Sequence, residues 1–197
     1  MKTETVKSET LNIYIAGVGG QGTLLASRVL GAYAVLTGKD CKLSEVHGMA
    51  QRGGSVVTHV RIGAQIFSPI VAEGTADVLL AFEQLEGLRA AYMLKKDGLI
   101  IVNTQKILPS SVTGGTAVYP DDALDRLQAM TKNFAAVDAN ALAAKAGNVK
   151  AANTVMLGAL CKKLGLDLCI MKKALESTVP SEKLEVNAKA LEMGYNT

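Results

Sequence analysis

The feature that most restricts how this chain can fold is a glycine turn, Gly17-Val18-Gly19-Gly20-Gln21-Gly22. Before it, Asn12-Ile13-Tyr14-Ile15-Ala16 reads as a strand. After it, residues 23–37 place Leu24, Leu25, Val29, Leu30, Ala32, Tyr33 and Leu36 on a helical face that Gly38 closes. A Gly-x-Gly-x-x-Gly turn between strand and helix lets a phosphate approach backbone N–H groups at the positive helix end. A dinucleotide site also needs an acid closing the second strand, about 20 residues on. Here Asp40 precedes that strand and Glu45 falls inside it or at its end. Two readings stay open: a nucleotide- or phosphate-binding turn, and a turn that only lets strand and helix pack closely.

A second glycine-rich segment follows, Glu45-Val46-His47-Gly48-Met49-Ala50-Gln51-Arg52-Gly53-Gly54. Arg52 among glycines can present its fork to a phosphate or carboxylate, and His47 can act as an acid–base group or a donor. The alternative is a loop in which glycine supplies positive φ and Arg52 braces a carboxylate of the same chain. His59, inside a β-branched run, is expected to pack rather than to catalyse.

Elsewhere the pattern alternates strand and helix. Residues 41–46 predict a second strand. Residues 55–62, followed by Ile66-Phe67 and Pro69, predict an antiparallel hairpin inserted in the repeat. Strands are expected at 77–82, 98–103, 116–119 and 134–137, with helices at 83–94, from Pro120-Asp121-Asp122 onward, and at 138–146. From Val149 the reading is all helix, at 150–164, 167–177 and 182–193, with Pro180 between the last two. The fold expected is α/β: a Rossmann-like, mostly parallel sheet with helices on both faces, an inserted hairpin and a C-terminal helical tail. Without a Pro/Ser-rich linker or repeat, residues 1–197 are taken as one domain, with the tail, about 149–197, packed on it.

Composition excludes several function classes. The net charge of +3 is too mild to imply a polyanion partner, and 4% aromatics with no Trp argue against a stacking surface for nucleic acid. No apolar run approaches the roughly 18 residues of a membrane span. The charged first ten residues lack the apolar stretch of a signal peptide, so a cytoplasmic protein is expected. Cys41, Cys161 and Cys169 share no Cys-x-x-Cys spacing, and His47 and His59 stand 12 apart. Iron–sulfur and zinc sites call for closer ligand spacing, so buried thiols are expected and no metal. A nucleophile elbow, a Walker loop and paired catalytic carboxylates are also missing.

Taken in order, Gly17–Gly22, Arg52-Gly53-Gly54, the segment near Ser68-Pro69-Ile70 and Ala76-Asp77-Val78-Leu79-Leu80-Ala81 resemble the γ-type component of the 2-oxoacid:ferredoxin oxidoreductases. The form of residues 45–54 is most similar to the indolepyruvate:ferredoxin type, in its β subunit. The resemblance covers roughly residues 11–180. It implies a subunit supporting coenzyme A-dependent oxidative decarboxylation of aryl pyruvates to aryl-acetyl-CoA, with electrons passed to ferredoxin. Thiamine diphosphate and iron–sulfur clusters are then expected on a large partner subunit, with no cofactor held tightly here and no activity in isolation. The resemblance assigns no catalytic residue. The candidate binding set, with coenzyme A as co-substrate, is Gly17, Gly19, Gly20, Gln21, Gly22, His47, Arg52, Gly53 and Gly54.

The competing readings are a self-sufficient NAD- or flavin-binding oxidoreductase and a non-catalytic scaffold. Two spatial expectations follow. The loop 45–54 should face the same crevice as the glycine turn, since both follow carboxyl ends of strands. The tail residues Val179, Leu184, Val186, Leu191 and Met193 should contribute to an exposed apolar patch.

Overall fold

The structure, a computed structural model, describes residues 10–48 and 53–197. Six strands form one sheet: β1 (Leu11–Val18), β2 (Asp40–His47), β3 (Ser55–Gly63), β4 (Ala76–Ala81), β5 (Leu94–Asn103) and β6 (Phe134–Val137), in the order β2-β3-β1-β4-β5-β6. The strands β1, β4, β5 and β6 run parallel, while β3 is antiparallel to both its neighbours, β1 and β2. Eight helices accompany them among the described residues: α1 (Thr23–Leu36), α2 (Gln84–Ala90), α3 (Ser110–Thr113), α4 (Ala123–Met130), α5 (Ala139–Ala146), α6 (Ala152–Leu164), α7 (Leu168–Glu176) and α8 (Ser181–Tyr195).

The alternation of β1 explains the layering. Ile13 and Ile15 point into one apolar cluster with α1, α6, α7 and α8, while Tyr14 and Ala16 point into a second with residues of β4, β5, α2 and α4. A strand buried on both faces must be apolar along its length, as this one is. The edge strand β2 is instead half exposed and carries Asp40, Lys42 and Glu45, charges that discourage pairing with a further strand.

Two expected strands are absent. Ile66-Phe67 was the expected second arm of a hairpin with residues 55–62. Both edges of β3 are already taken by β1 and β2, so β3 makes its hairpin with β2. The chain leaves after Gly63, the Ile66 N–H donates to Asp40 Oδ2 at 2.8 Å, and Phe67 stands 86% exposed. Residues 116–119 likewise form no strand; the edge of β5 pairs with β6 instead. There the Tyr119 hydroxyl turns inward and donates to Glu83 Oε1 at 2.5 Å. Burial and that carboxylate push the Tyr119 phenol well above its ordinary range. The helix expected over 83–94 is also shorter: α2 ends at Ala90, a 3-10 turn spans Ala91–Met93, and β5 starts at Leu94.

The helical tail does not present the expected apolar patch. Val179 and Leu191 are buried in the α1-side cluster, Val186 and Met193 pack against it, and Leu184 is half-buried outside it. Where α6 meets α8, backbone touches backbone. A Cβ at Gly158 would run into the Leu191 carbonyl, and one at Gly194 into that of Val155. Rigid backbone cannot yield as a flexible side chain can, so Gly158→Ala and Gly194→Ala should each destabilise the fold by about 1–3 kcal/mol, the usual cost of overpacking. Urea unfolding midpoints would show this as a clear drop, and an unchanged midpoint would contradict the packing.

His59 packs as expected. It is buried, lies edge-on to Tyr14 at 4.9 Å between ring centroids, and its Nδ1 accepts from the Val71 N–H at 3.1 Å. Burial lowers its pKa below the ordinary value, because the imidazolium is penalised there. The unfolded chain therefore takes up this proton near pH 6.5 while the folded chain resists it. This contribution to stability is full above that pH and is lost as pH falls toward the depressed folded value. His59→Asn, which retains an acceptor but does not titrate, should show a smaller loss of stability between pH 7.5 and 5.5 than the wild type. Matched denaturation curves at the two pH values test it.

Candidate functional site

The glycine turn is held rigidly at the carboxyl end of β1. Gly20 and Gly22 adopt φ of 103° and 81°, a region that only glycine enters without strain. Gln21 stitches the turn to its surroundings. Its Oε1 accepts from the Val18 N–H at 2.7 Å, and its Nε2 donates to the Phe82 carbonyl and to Gln105 Oε1, both at 2.9 Å. Gly22 caps α1 without a side-chain bond. The first N–H groups of a helix have no intrahelical acceptor, so this end carries partial positive charge.

The second glycine segment meets the turn directly. The Gly19 N–H donates to the Gly54 carbonyl at 2.8 Å, and the Gly53 N–H donates back to Gly19 at 3.3 Å. Ser55, next along, donates to Glu86 Oε2 at 2.5 Å, which ties the foot of β3 to α2. Together with residues of the turn, Glu45 and His47 line a cleft of about 490 Å³. The structure thus brings Gly17, Gly19, Gly20, Gln21, Gly22, His47, Gly53 and Gly54 into one neighbourhood. Arg52 lies outside the described residues. His47 Nδ1 is 3.0 Å from the Gly48 carbonyl, and Glu45 Oε2 is buried with no hydrogen-bond partner among the described residues.

On the other side of the turn lies a cavity of about 530 Å³, at the carboxyl ends of β1, β4 and β5 and the start of α6. The connections diverge here: the chain leaves β1 toward β2 on one side, while β4, β5 and β6 build up on the other. Open α/β sheets bind ligands at such a switch point. Besides Gln21, its polar lining is Asn103, Gln105, Asn140, Lys150 and Asn153. A second cavity of about 330 Å³ shares Gly20, Gln21, Lys150 and Asn153 and reaches Lys183 of α8. Sequence reading did not single out these amides. Asn103 and Asn140 sit just where strands end, which is the one signal that could have marked them.

Of the three thiols expected to be buried, Cys161 is buried and Cys41 half-buried, but Cys169 is exposed near the start of α7. Burial pushes the Cys41 and Cys161 thiols each up to about 11, so both stay protonated at neutral pH. Among the described residues no group of three or more His, Cys, Asp or Glu side chains could hold a metal ion. No helix among them is long and apolar enough to cross a membrane.

Residues 12–197 match the family model of pyruvate ferredoxin/flavodoxin oxidoreductases. The indolepyruvate oxidoreductase subunit IorB of Archaeoglobus fulgidus is 45% identical over 190 residues, 94% of each chain. The chain belongs to the pyruvate ferredoxin/flavodoxin oxidoreductase family.

Solved structures share its fold. A pyruvate oxidoreductase subunit from Thermotoga maritima superimposes with a TM-score of 0.72 at 26% identity, covering 95% of this chain and 96% of that one. A 2-oxoglutarate:ferredoxin oxidoreductase from Magnetococcus marinus, with 2-oxoglutarate, coenzyme A and succinyl-CoA bound, matches at a TM-score of 0.72 and 18% identity. It covers 96% of this chain and 31% of that longer one, a likeness of fold.

The turn common to these cavities depends on Gly22. A Cβ there would strike the Asn153 amide, which donates to the Gly22 carbonyl at 3.3 Å. Gly22→Ala should cost about 1–2 kcal/mol from the left-handed backbone alone, and more from the displaced amide. Adding Asn153→Ala should recover the steric part, so the pair should couple in a double-mutant cycle of unfolding free energies. Simple additivity would refute the contact.

Proposed function

We propose that the chain is a subunit of an indolepyruvate-type 2-oxoacid:ferredoxin oxidoreductase, one γ-type domain from end to end, working in the cytoplasm. Its partner is a larger subunit that carries thiamine diphosphate and iron–sulfur clusters, and electrons leave through that complex to ferredoxin. The observation that carries this reading is the match to IorB along 94% of both chains. The absence of any metal-holding group among the described residues is compatible with placing the redox centres on the partner.

Coenzyme A supplies the thiol that accepts the acyl group. This chain's part is to bind and orient the phosphate-bearing end. The positive end of α1, the glycine backbone at the turn and the two cavities beside it fit that task by shape and charge. His47, Gly53 and Gly54 lie on the other side of the turn, and Arg52 is assigned to offer its guanidinium to the same ligand. No side chain here is assigned a bond-making role.

A self-sufficient NAD- or flavin-binding enzyme fits less well. In a plain dinucleotide fold the strand beside β1 ends in the acid that binds ribose. Here β3 occupies that place, and β2 with Glu45 lies one strand further away. Asp40 is engaged with Lys42 and the Ile66 N–H, which hold its carboxyl below the usual range.

The test is reconstitution. The purified chain alone should not oxidise indolepyruvate when given thiamine diphosphate, and should restore turnover when combined with a thiamine- and cluster-binding subunit. Arg52→Ala in that complex should weaken coenzyme A use or subunit assembly by roughly 10–150-fold, the equivalent of a charge-assisted contact of about 1.5–3 kcal/mol. Arg52→Lys should rescue it only partly, because the fork is lost. Turnover by the chain alone would refute the subunit reading. Wild-type behaviour of Arg52→Ala in both titrations would remove Arg52 from the site.

A further inference from the structure

The connection from β5 to α4 is far longer than the crossing requires. It takes up residues 104–122, where a strand-to-helix loop ordinarily needs about 2–6 residues. Both ends of its central part are fixed on one carboxylate. Glu83, 1% exposed, caps α2 by accepting from the Glu86 N–H at 2.9 Å with Oε2. Its Oε1 accepts from the Ile107 N–H at 3.1 Å and from the Tyr119 hydroxyl at 2.5 Å. Beside this clamp Lys106 Nζ lies 5.5 Å from the Tyr119 ring centroid and 3.5 Å from Asp121 Oδ1, which closes the neck a second time.

Between its two feet the chain bonds to itself. The Ser111 carbonyl accepts from the Thr116 and Ala117 N–H groups at 2.8 and 3.0 Å, and the Pro109 carbonyl from those of Val112 and Thr113 at 2.9 and 3.0 Å. From Leu108 to Val118 no residue is buried; Leu108 is 53% and Val118 91% exposed. A compact surface loop with adjoining ends and internal bonds is an Ω-loop, a form that frequently carries function. The composition of this one is unusual for a solvated surface. No residue from Ile107 to Pro120 is charged, in a chain of which 20% is. The comparable uncharged run at 151–161 lies inside the fold, on and just before α6. Depletion of charge on an accessible surface marks the core of a protein–protein interface.

We infer that this Ω-loop, residues 107–120, is a docking knob that a concave, uncharged surface of the large partner subunit receives, with Leu108 and Val118 as its apolar anchors. Shape selects the occupant. A projecting loop needs a concavity, so two copies meeting loop to loop would bury little, and a loop-to-cavity contact between copies would run on into an open filament. Glu83 and Tyr119 are positioning residues: they set the shape of the knob before docking, so less freedom is lost on binding. The inference rests on the proposed function for the identity of the partner and goes beyond it by naming the surface.

The experiment titrates the full chain onto a thiamine- and cluster-binding subunit and follows binding and restored turnover separately. Val118→Asp and Leu108→Asp place a charge on an exposed side chain, where docking would bury it unpaired. Each should weaken binding at least tenfold and leave kcat unchanged at saturating chain. Val118→Ile should bind as wild type, and so should Gln128→Glu, which adds the same charge on the exposed face of α4. Tyr119→Phe, which opens one foot of the clamp, should weaken binding severalfold. Wild-type affinity in both Asp variants would overturn the surface, as would equal weakening by Gln128→Glu. Unchanged binding with a raised coenzyme A KM would make the loop a lid, and a self-association of the wild-type chain that the Asp variants abolish would make the occupant a second copy; either result overturns the proposal. Binding that the Asp variants weaken, with no turnover restored by the wild type, would remove the functional reading and keep the surface. Restored turnover with every variant at wild-type affinity would do the opposite, and no binding by the wild-type chain would remove both.

Discussion

Gln21 reaches from the glycine turn to the carboxyl ends of β4 and β5 and makes three hydrogen bonds with one side chain. Each is worth about 0.5–1.5 kcal/mol net, but a buried group left unpaired costs roughly 1–3 kcal/mol, so the set is close to all-or-none. The turn keeps its shape because Val18 has nowhere better to donate. The Phe82 carbonyl accepts from both Gln21 and Asn103, so the two amides share one anchor at the end of β4.

The antiparallel strand β3 is the second determinant of the site. By pairing along all of β1 it spaces β2 away from the glycine turn, while Gly53 and Gly54 just before it bond to Gly19 and its first residue, Ser55, bonds to Glu86. The crevice is thereby divided. One side gathers Glu45 and His47 from β2, and the other gathers neutral amides and Lys150 from the ends of β5, α5 and α6.

What the sequence made legible follows from the range of the forces involved. The first strand, the turn and α1 are local patterns and appear where read, as do β6, α5 and the three tail helices. The meeting of the two glycine segments followed from strand direction alone. Ile66-Phe67 and residues 116–119 were misread because a short apolar run becomes a strand only if it pairs with an edge, and which edges pair is a property of the whole sheet. The tail residues were misread for a related reason: Leu191 and Val179 have the same pattern whether a partner or their own chain covers them. Asn103, Gln105, Asn140 and Lys150 come from separate segments, each ordinary by itself, and no local spacing announces that they converge.

The apolar cluster on the α1 side has a consequence for synthesis. It joins Ile13 and Ile15 of β1 to Leu175, Ala190 and Leu191, which follow well over a hundred residues later in the chain. At a ribosomal pace of about 5–20 residues per second, the finished β1–α1 unit waits roughly 8 to 30 s for the helices that cover it. Through that interval the nascent chain carries a bare greasy flank, and its native layering closes only once α8 has been made. Holding chaperones would act on this flank, and premature termination anywhere before α8 would leave a product with its oldest surface still uncovered.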